Sequence, residues 1–258
     1  MTSAAERRKF FLLLIGFTLP FILAGAVFDM RILPGVPLSA AMFVAPFLAV
    51  AAVFGENAES RTAAFRNLFR FRTGRGFGVR TLSFVLMPAI LLLSFLFARL
   101  SGALEEDLVI RAPRLLILLV AFIVSAIGEE SGWTGFLLLD YEDSRRYRHY
   151  LSVPACYVAW HLIPFIQTGH AASWIVGQCL FSFVSRIMMI QLYALSGRAG
   201  AVSLILHATY NLAWQLYPVD GSRYDPWSVF TLSLSVAVLL ELAIAKKIAP
   251  SRRSEARA

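Results

Sequence analysis

The chain has 258 residues, 58% of them hydrophobic and only 16% charged, and a formal net charge of +8. Soluble domains carry about a quarter charged residues, and the apolar residues here come in long runs, so a soluble enzyme is excluded in favour of a polytopic membrane protein. The positive balance fits loops facing anionic lipid, and no basic patch with base-stacking aromatics points to nucleic acid as a partner.

In chain order, eight apolar segments can serve as spans: 10–28, 37–54, 80–98, 114–139, 151–167, 172–195, 200–217 and 227–245. A span needs about 20 apolar residues, and no soluble domain fits between these. The expected fold is all-α, a single integral membrane domain over residues 1–258 with about eight transmembrane helices. Ala24-Gly25-Ala26 faintly resembles a signal-peptidase site, but the apolar run before it is long for a signal sequence, so an uncleaved anchor is expected. The basic segment RTAAFRNLFRFR, residues 61–72, separates Phe65, Leu68 and Phe69 from Arg66 and Arg70 around a helix, the pattern of a short helix on the inner membrane surface. With the N-terminus cytoplasmic, eighteen Lys or Arg residues fall in inside segments and five (Arg31, Arg99, Arg111, Arg114, Arg223) outside. That asymmetry places both termini in the cytoplasm. Cys156 and Cys179 fall at different depths of neighbouring spans, and no disulfide is expected.

Ionisable groups inside a span are costly unless paired or hydrated, so each is a functional candidate. The span at 114–139 carries the adjacent acids Glu129 and Glu130 in GEESGWTGFLLLD; the next three spans carry His161, Arg186 and His207, with Asn211 one turn after His207 on the same face. Counted from the inner ends of their spans at 1.5 Å per residue, all lie about 10–17 Å deep. One of these groups alone has an ordinary structural explanation, such as an ion pair between helices. Two acids, two histidines and an asparagine at one level call for a shared buried site. His149 and His170 fall in loops and receive no role.

A carboxylate and an imidazole flanking one water can activate it as a nucleophile, and a second histidine with an asparagine can donate to a developing oxyanion. These parts suit amide hydrolysis. A divalent metal such as zinc is the other use of two Glu and two His; the HExxH spacing is absent, which does not exclude one.

The ordered motifs EESGWTG (129–135), YVAWH (157–161) and HATYN (207–211) resemble those of the CAAX prenyl endopeptidase and bacteriocin-processing (CPBP, or Abi) family of intramembrane proteases, over residues 113–218, the catalytic core helices. The resemblance implies an eight-helix bundle with a cavity opening to the cytoplasm. It implies that Glu129 and His161 activate water, that His207 and Asn211 form the oxyanion hole, that Glu130 supports them, and that no metal is needed. The implied partners are membrane lipids and a protein or peptide substrate, lipidated or transmembrane, with the enzyme in a bacterial plasma membrane. Two positions depart from the pattern: Thr134 stands where the family has arginine, and Tyr157 where phenylalanine is usual. Two adjacent buried carboxylates need a cation, so Arg186 is expected to take that role by reaching Glu130 or both acids. The competing reading is a non-enzymatic membrane protein, an immunity factor or an ion-binding transporter-like scaffold. A transporter is expected to show repeats or broken helices, and the sequence shows neither.

Overall fold

The structure, a computed structural model, describes residues 2–28, 31–33, 36–55, 57–71 and 77–255. Its helices are α1 (Ala4–Phe28), α2 (Ala45–Val53), α3 (Ala58–Leu68), α4 (Phe77–Leu100), α5 (Ala112–Glu130), α6 (Arg146–Gln167), α7 (Ala172–Leu195), α8 (Ala201–Trp214) and α9 (Pro226–Glu255). A 3₁₀ segment, Leu38–Val44, leads into α2, and a π-helical turn, Ser131–Phe136, continues α5. The all-α expectation holds apart from one unforeseen feature, a small antiparallel ribbon of β1 (Arg31–Leu33) and β2 (Val36–Pro37), with Arg31 opposite Pro37.

Among the described residues, five helical segments are long and apolar enough to cross a membrane: Ala4–Phe28, Gly78–Leu100, Pro113–Phe136, Ala172–Leu195 and Pro226–Lys246. The other three expected spans are also helical but fall short for physical reasons. The segment at 37–54 divides into the 3₁₀ run and the short α2. Helix α6 opens with RYRH and carries His161, which lowers its hydropathy. With 14 residues, α8 spans about 21 Å against a hydrocarbon core of about 30 Å.

The polarity of the bundle is inverted relative to a soluble protein. Leu12, Ile15, Leu93, Phe97, Leu116, Ile117, Leu239 and Leu242 face outward, while Glu130, Arg186, Gln191 and Ser203 are buried. An outer surface this apolar suits hydrocarbon, not water. Helix α7 packs against α6, α8 and α9, and α8 against α4 and α5, so the segment 112–214 forms the centre. Helix α1 is held to α6 by the Trp160 indole donating to Thr18 Oγ1 (2.7 Å). Both cysteines are unpaired.

The helix expected in the basic segment 61–72 is α3, and it does more than lie on a surface. Ala64 and Leu68 are buried against the π turn. The Asn67 amide donates to the carbonyls of Thr134 and Gly135 (3.2 and 3.3 Å), and the Tyr193 hydroxyl donates to Asn67 Oδ1 (2.8 Å). A π turn displaces backbone carbonyls from their usual i+4 partners, and Asn67 takes up two of them. The same end is clipped by Thr2, whose amide and hydroxyl donate to Asp140 (2.7 and 2.5 Å), with Arg7 at 3.1 Å. Partial burial raises the Asp140 carboxyl, but these hydrogen bonds outweigh it and hold the group below its ordinary value. The clip therefore contributes at neutral pH and is lost as pH falls through that lowered value.

Close packing at this end makes Gly200 a sensitive position. A Cβ there would lie 2.8 Å from the Leu68 carbonyl oxygen, which is backbone and cannot move aside. Gly200→Ala is expected to cost about 1–3 kcal/mol and to lower the thermal midpoint in detergent. Gly16→Ala, with nothing within 4 Å, is the matched control and should not lower it.

Candidate active site

The acid pair sits at the seam between α5 and the π turn. Such turns recur where a helix must present side chains it could not otherwise align. Glu129 is 6% exposed and Glu130 fully buried. Adjacent residues on a helix point about 100° apart, and the two carboxylates accordingly face different surroundings.

Glu130 is saturated. Arg186 Nη1 donates to both of its oxygens at 2.7 Å, Thr134 Oγ1 donates to Oε2 at 2.6 Å, and His207 Nδ1 lies 2.7 Å from Oε1. Arg186 is 1% exposed, so it does not reach toward the membrane surface. Its guanidinium carbon stands 4.0 Å from the centroid of the Tyr157 ring, a cation–π contact. The expectation that Arg186 reaches Glu130 is met; its contact is with Glu130 and not with both acids. Thr134, read in the sequence only as a missing arginine, contributes a hydroxyl to the carboxylate one turn back. The i, i+4 spacing of Glu130 and Thr134 was the available signal.

Glu129 is much freer. The Tyr157 hydroxyl donates to its Oε2 at 3.2 Å. His161 Nε2 and His207 Nε2 lie 3.7 and 3.9 Å from the same oxygen. These separations are too long for direct hydrogen bonds but suit a bridging water.

The partners assign the tautomers. His161 Nδ1 is 3.0 Å from the Tyr157 carbonyl oxygen. A carbonyl only accepts, so Nδ1 carries the proton and Nε2 offers a lone pair toward Glu129. A water between them then meets two acceptors, the arrangement a general base needs. His207 Nδ1 faces a carboxylate already bound to Arg186, so Nδ1 again carries the proton. His207 can donate from Nε2 only while doubly protonated. The Asn211 amide makes no hydrogen bond to a described residue and is free to donate.

Glu129, His161, His207 and Asn211 line one cavity of about 430 Å³, together with Tyr157, Gln178, Ser182 and Tyr210. Glu130 does not line it and instead lies behind Glu129, which corrects the expectation of a shared surface for both acids. Gln178 has no sequence signal, and Tyr210, though inside the HATYN motif, receives no role from it. The Gln178 amide donates to the Tyr210 hydroxyl at 3.1 Å, bracing α7 against α8 beside Asn211. His149 is buried at the far end and takes no part, whereas His170 lines the mouth, stacked 4.0 Å from Trp174.

The mouth brings a second correction. Beyond the site the cavity is bounded by Arg31 of β1 and by Thr168, Gly169, His170 and Asp220 to Ser222 of the connections α6–α7 and α8–α9. The start of α1 and the far end of α9 lie at the opposite end, with the Asp140 turn and Arg146, which pairs with Glu241 at 2.8 Å. A cytoplasmic mouth and cytoplasmic termini are therefore incompatible in this fold.

Zinc sites of the catalytic kind take three protein ligands. Among the described residues no three His, Cys, Asp or Glu side chains are grouped to hold a metal. The charge of Glu130 is already met by Arg186.

Tyr157→Phe tests how much Glu129 depends on its one direct donor. Phenylalanine keeps the ring under Arg186 and loses only the hydroxyl. The expected result is a folded protein with turnover reduced by less than about tenfold, since a single hydrogen bond is worth about 0.5–1.5 kcal/mol. Turnover and the thermal midpoint of the purified variant check this.

Residues 111–213 match the family model described as Rce1-like, type II CAAX prenyl endopeptidase. All three motifs, 129–135, 157–161 and 207–211, fall within that segment. No curated protein matches the chain.

Proposed function

From a chain that carries the Rce1-like protease family's pattern through residues 111–213, we propose an intramembrane endopeptidase that hydrolyses a peptide bond with water activated by Glu129 and His161. The observation that carries this reading is the Glu129–His161 pair, 3.7 Å apart on the cavity wall, with both facing groups acting as acceptors.

In the proposed reaction a water sits between Glu129 Oε2 and His161 Nε2. Glu129 takes one of its protons as the oxygen attacks the carbonyl carbon, and the carbonyl oxygen becomes an oxyanion. Doubly protonated His207, through Nε2, and the Asn211 amide donate to that oxygen. Glu129 then gives its proton to the leaving nitrogen as the C–N bond breaks, yielding a carboxylic acid and an amine, and the acid's remaining proton passes to the amine to leave a carboxylate and an ammonium. Glu130 stays an ionised acceptor throughout, held by Arg186 and Thr134. Its task is to fix the His207 ring. Chemistry of this kind needs no metal. The setting is a multi-pass protein of a bacterial plasma membrane.

The test compares membrane proteomes of cells carrying the wild type and Glu129→Gln. At least one protein is expected to accumulate as a longer, uncleaved form in the variant. Identical sets of protein termini in the two membranes would contradict the proposal and favour a non-enzymatic role.

A further inference from the structure

We propose that the cavity admits its polypeptide from the non-cytoplasmic side of the membrane, so that the substrates are exported or membrane-anchored chains cleaved in an outward-facing segment. This rests on the endopeptidase reading and adds the class of substrate.

Two independent observations meet here. One is the direction of the cavity, which runs from Glu129 past Ser125 and Phe122 on α5 and past Phe165 and Thr168 on α6 to its mouth. Toward the opposite end the site is closed: Glu130, Trp133, Phe136 and Leu68 are all fully buried. The other observation is the distribution of positive charge over the two ends. At the mouth end stand Arg31, Arg99, Arg111, Arg114 and Arg223, and three of these are paired with acids of the same end, Arg99 with Asp107, Arg114 with Asp220 and Arg223 with Glu106. At the closed end stand Arg7, Arg8, Lys9, Arg61, Arg66, Arg70, Arg145, Arg146, Arg148 and Arg198. Lys and Arg flanking spans mark the cytoplasmic side. The closed end is therefore cytoplasmic and the mouth faces away.

The geometry restricts what can enter. Glu129 follows Phe122 by seven positions, and Thr168 follows His161 by seven, so the scissile bond must descend about 10 Å. That is about three residues of extended chain on either side of the bond. A folded domain cannot supply this, but an unstructured juxtamembrane stretch can. The mouth receives it between Phe165, Trp174 and Trp214, beside Arg31. A lipidated C-terminus in the cytoplasm would meet the closed end.

The test reads accessibility in the full chain with Cys156→Ala and Cys179→Ala, carrying one new cysteine at a time. Ser222→Cys lies at the mouth, Ser125→Cys in the cavity and Ser144→Cys at the closed end. Intact bacterial cells with a permeable outer layer are treated with a charged, membrane-impermeant maleimide, and then again after lysis. Ser222→Cys and Ser125→Cys are expected to label in intact cells, and Ser144→Cys to lose its labelling unless the membrane is broken. Labelling of Ser144→Cys in intact cells, with Ser222→Cys protected, would overturn the proposal and place the mouth in the cytoplasm. Glu106→Cys reports the same end should Ser222→Cys fail to accumulate. Labelling needs no turnover, so a protein that cleaves nothing would sink the endopeptidase reading and still report the side of the mouth.

Discussion

Purified Glu129→Gln is expected to lose at least about 10²-fold in turnover while unfolding at the wild-type temperature. A lost general base costs about 10²–10⁴-fold. Glutamine keeps the length of the side chain and an oxygen that can accept from the Tyr157 hydroxyl, which lies 3.2 Å from Glu129 Oε2. It cannot take a proton from water. The carboxylate makes no close ion pair, since both neighbouring histidine nitrogens stand more than 3.5 Å away. Packing is therefore expected to survive the change, and the loss falls on chemistry. Turnover on a substrate found by the proteome comparison, measured beside a thermal melt, separates the two effects. Wild-type turnover in the folded variant would remove Glu129 as the base.

The second large effect is expected at Arg186. Removing one partner of a buried ion pair strands the other, at a cost of about 3–5 kcal/mol. Arg186→Met would leave Glu130 fully buried with only Thr134 and His207 as partners. It would also remove the cation above the Tyr157 ring. The variant should melt well below the wild type, accumulate poorly and turn over slowly. Adding Thr134→Arg returns a cation to a position one turn from Glu130, where the motif that this chain resembles carries arginine, and should recover part of the stability. The double variant discriminates, because a purely steric defect at position 186 would not be repaired from position 134. An Arg186→Met protein with normal melting and turnover would contradict the assigned pairing.

The parts of this arrangement that were legible in the sequence are those governed by local cost. Burying Glu130 or Arg186 in an apolar span is prohibitive for either alone, so their presence at one depth of the same bundle called for each other, and they do meet. Helical spacing put His207 and Asn211 on one face, and both line the cavity. What could not be read depends on tertiary packing. The π turn after Glu130 has no signature in SGWTGF, and the docking of Asn67 beneath it joins residues far apart in the chain. The direction of the mouth is set by which loops stand apart at one end of the bundle. Apolar periodicity does not encode that. Charge counting pointed to a cytoplasmic end holding both termini, and only the fold showed that the mouth lies at the end away from those termini. The short α2 and α8 likewise passed for ordinary spans, because a run of apolar residues looks the same whether lipid or protein surrounds it.

The central claim is that side chains alone activate the water, with Glu129 and His161 as its acceptors. It is tested most directly by the metal dependence of the purified wild-type protein in lipid vesicles, assayed on its own substrate after exhaustive chelation. The account predicts undiminished cleavage with zinc far below one ion per chain. Loss of cleavage on chelation, restored by stoichiometric zinc, would contradict it.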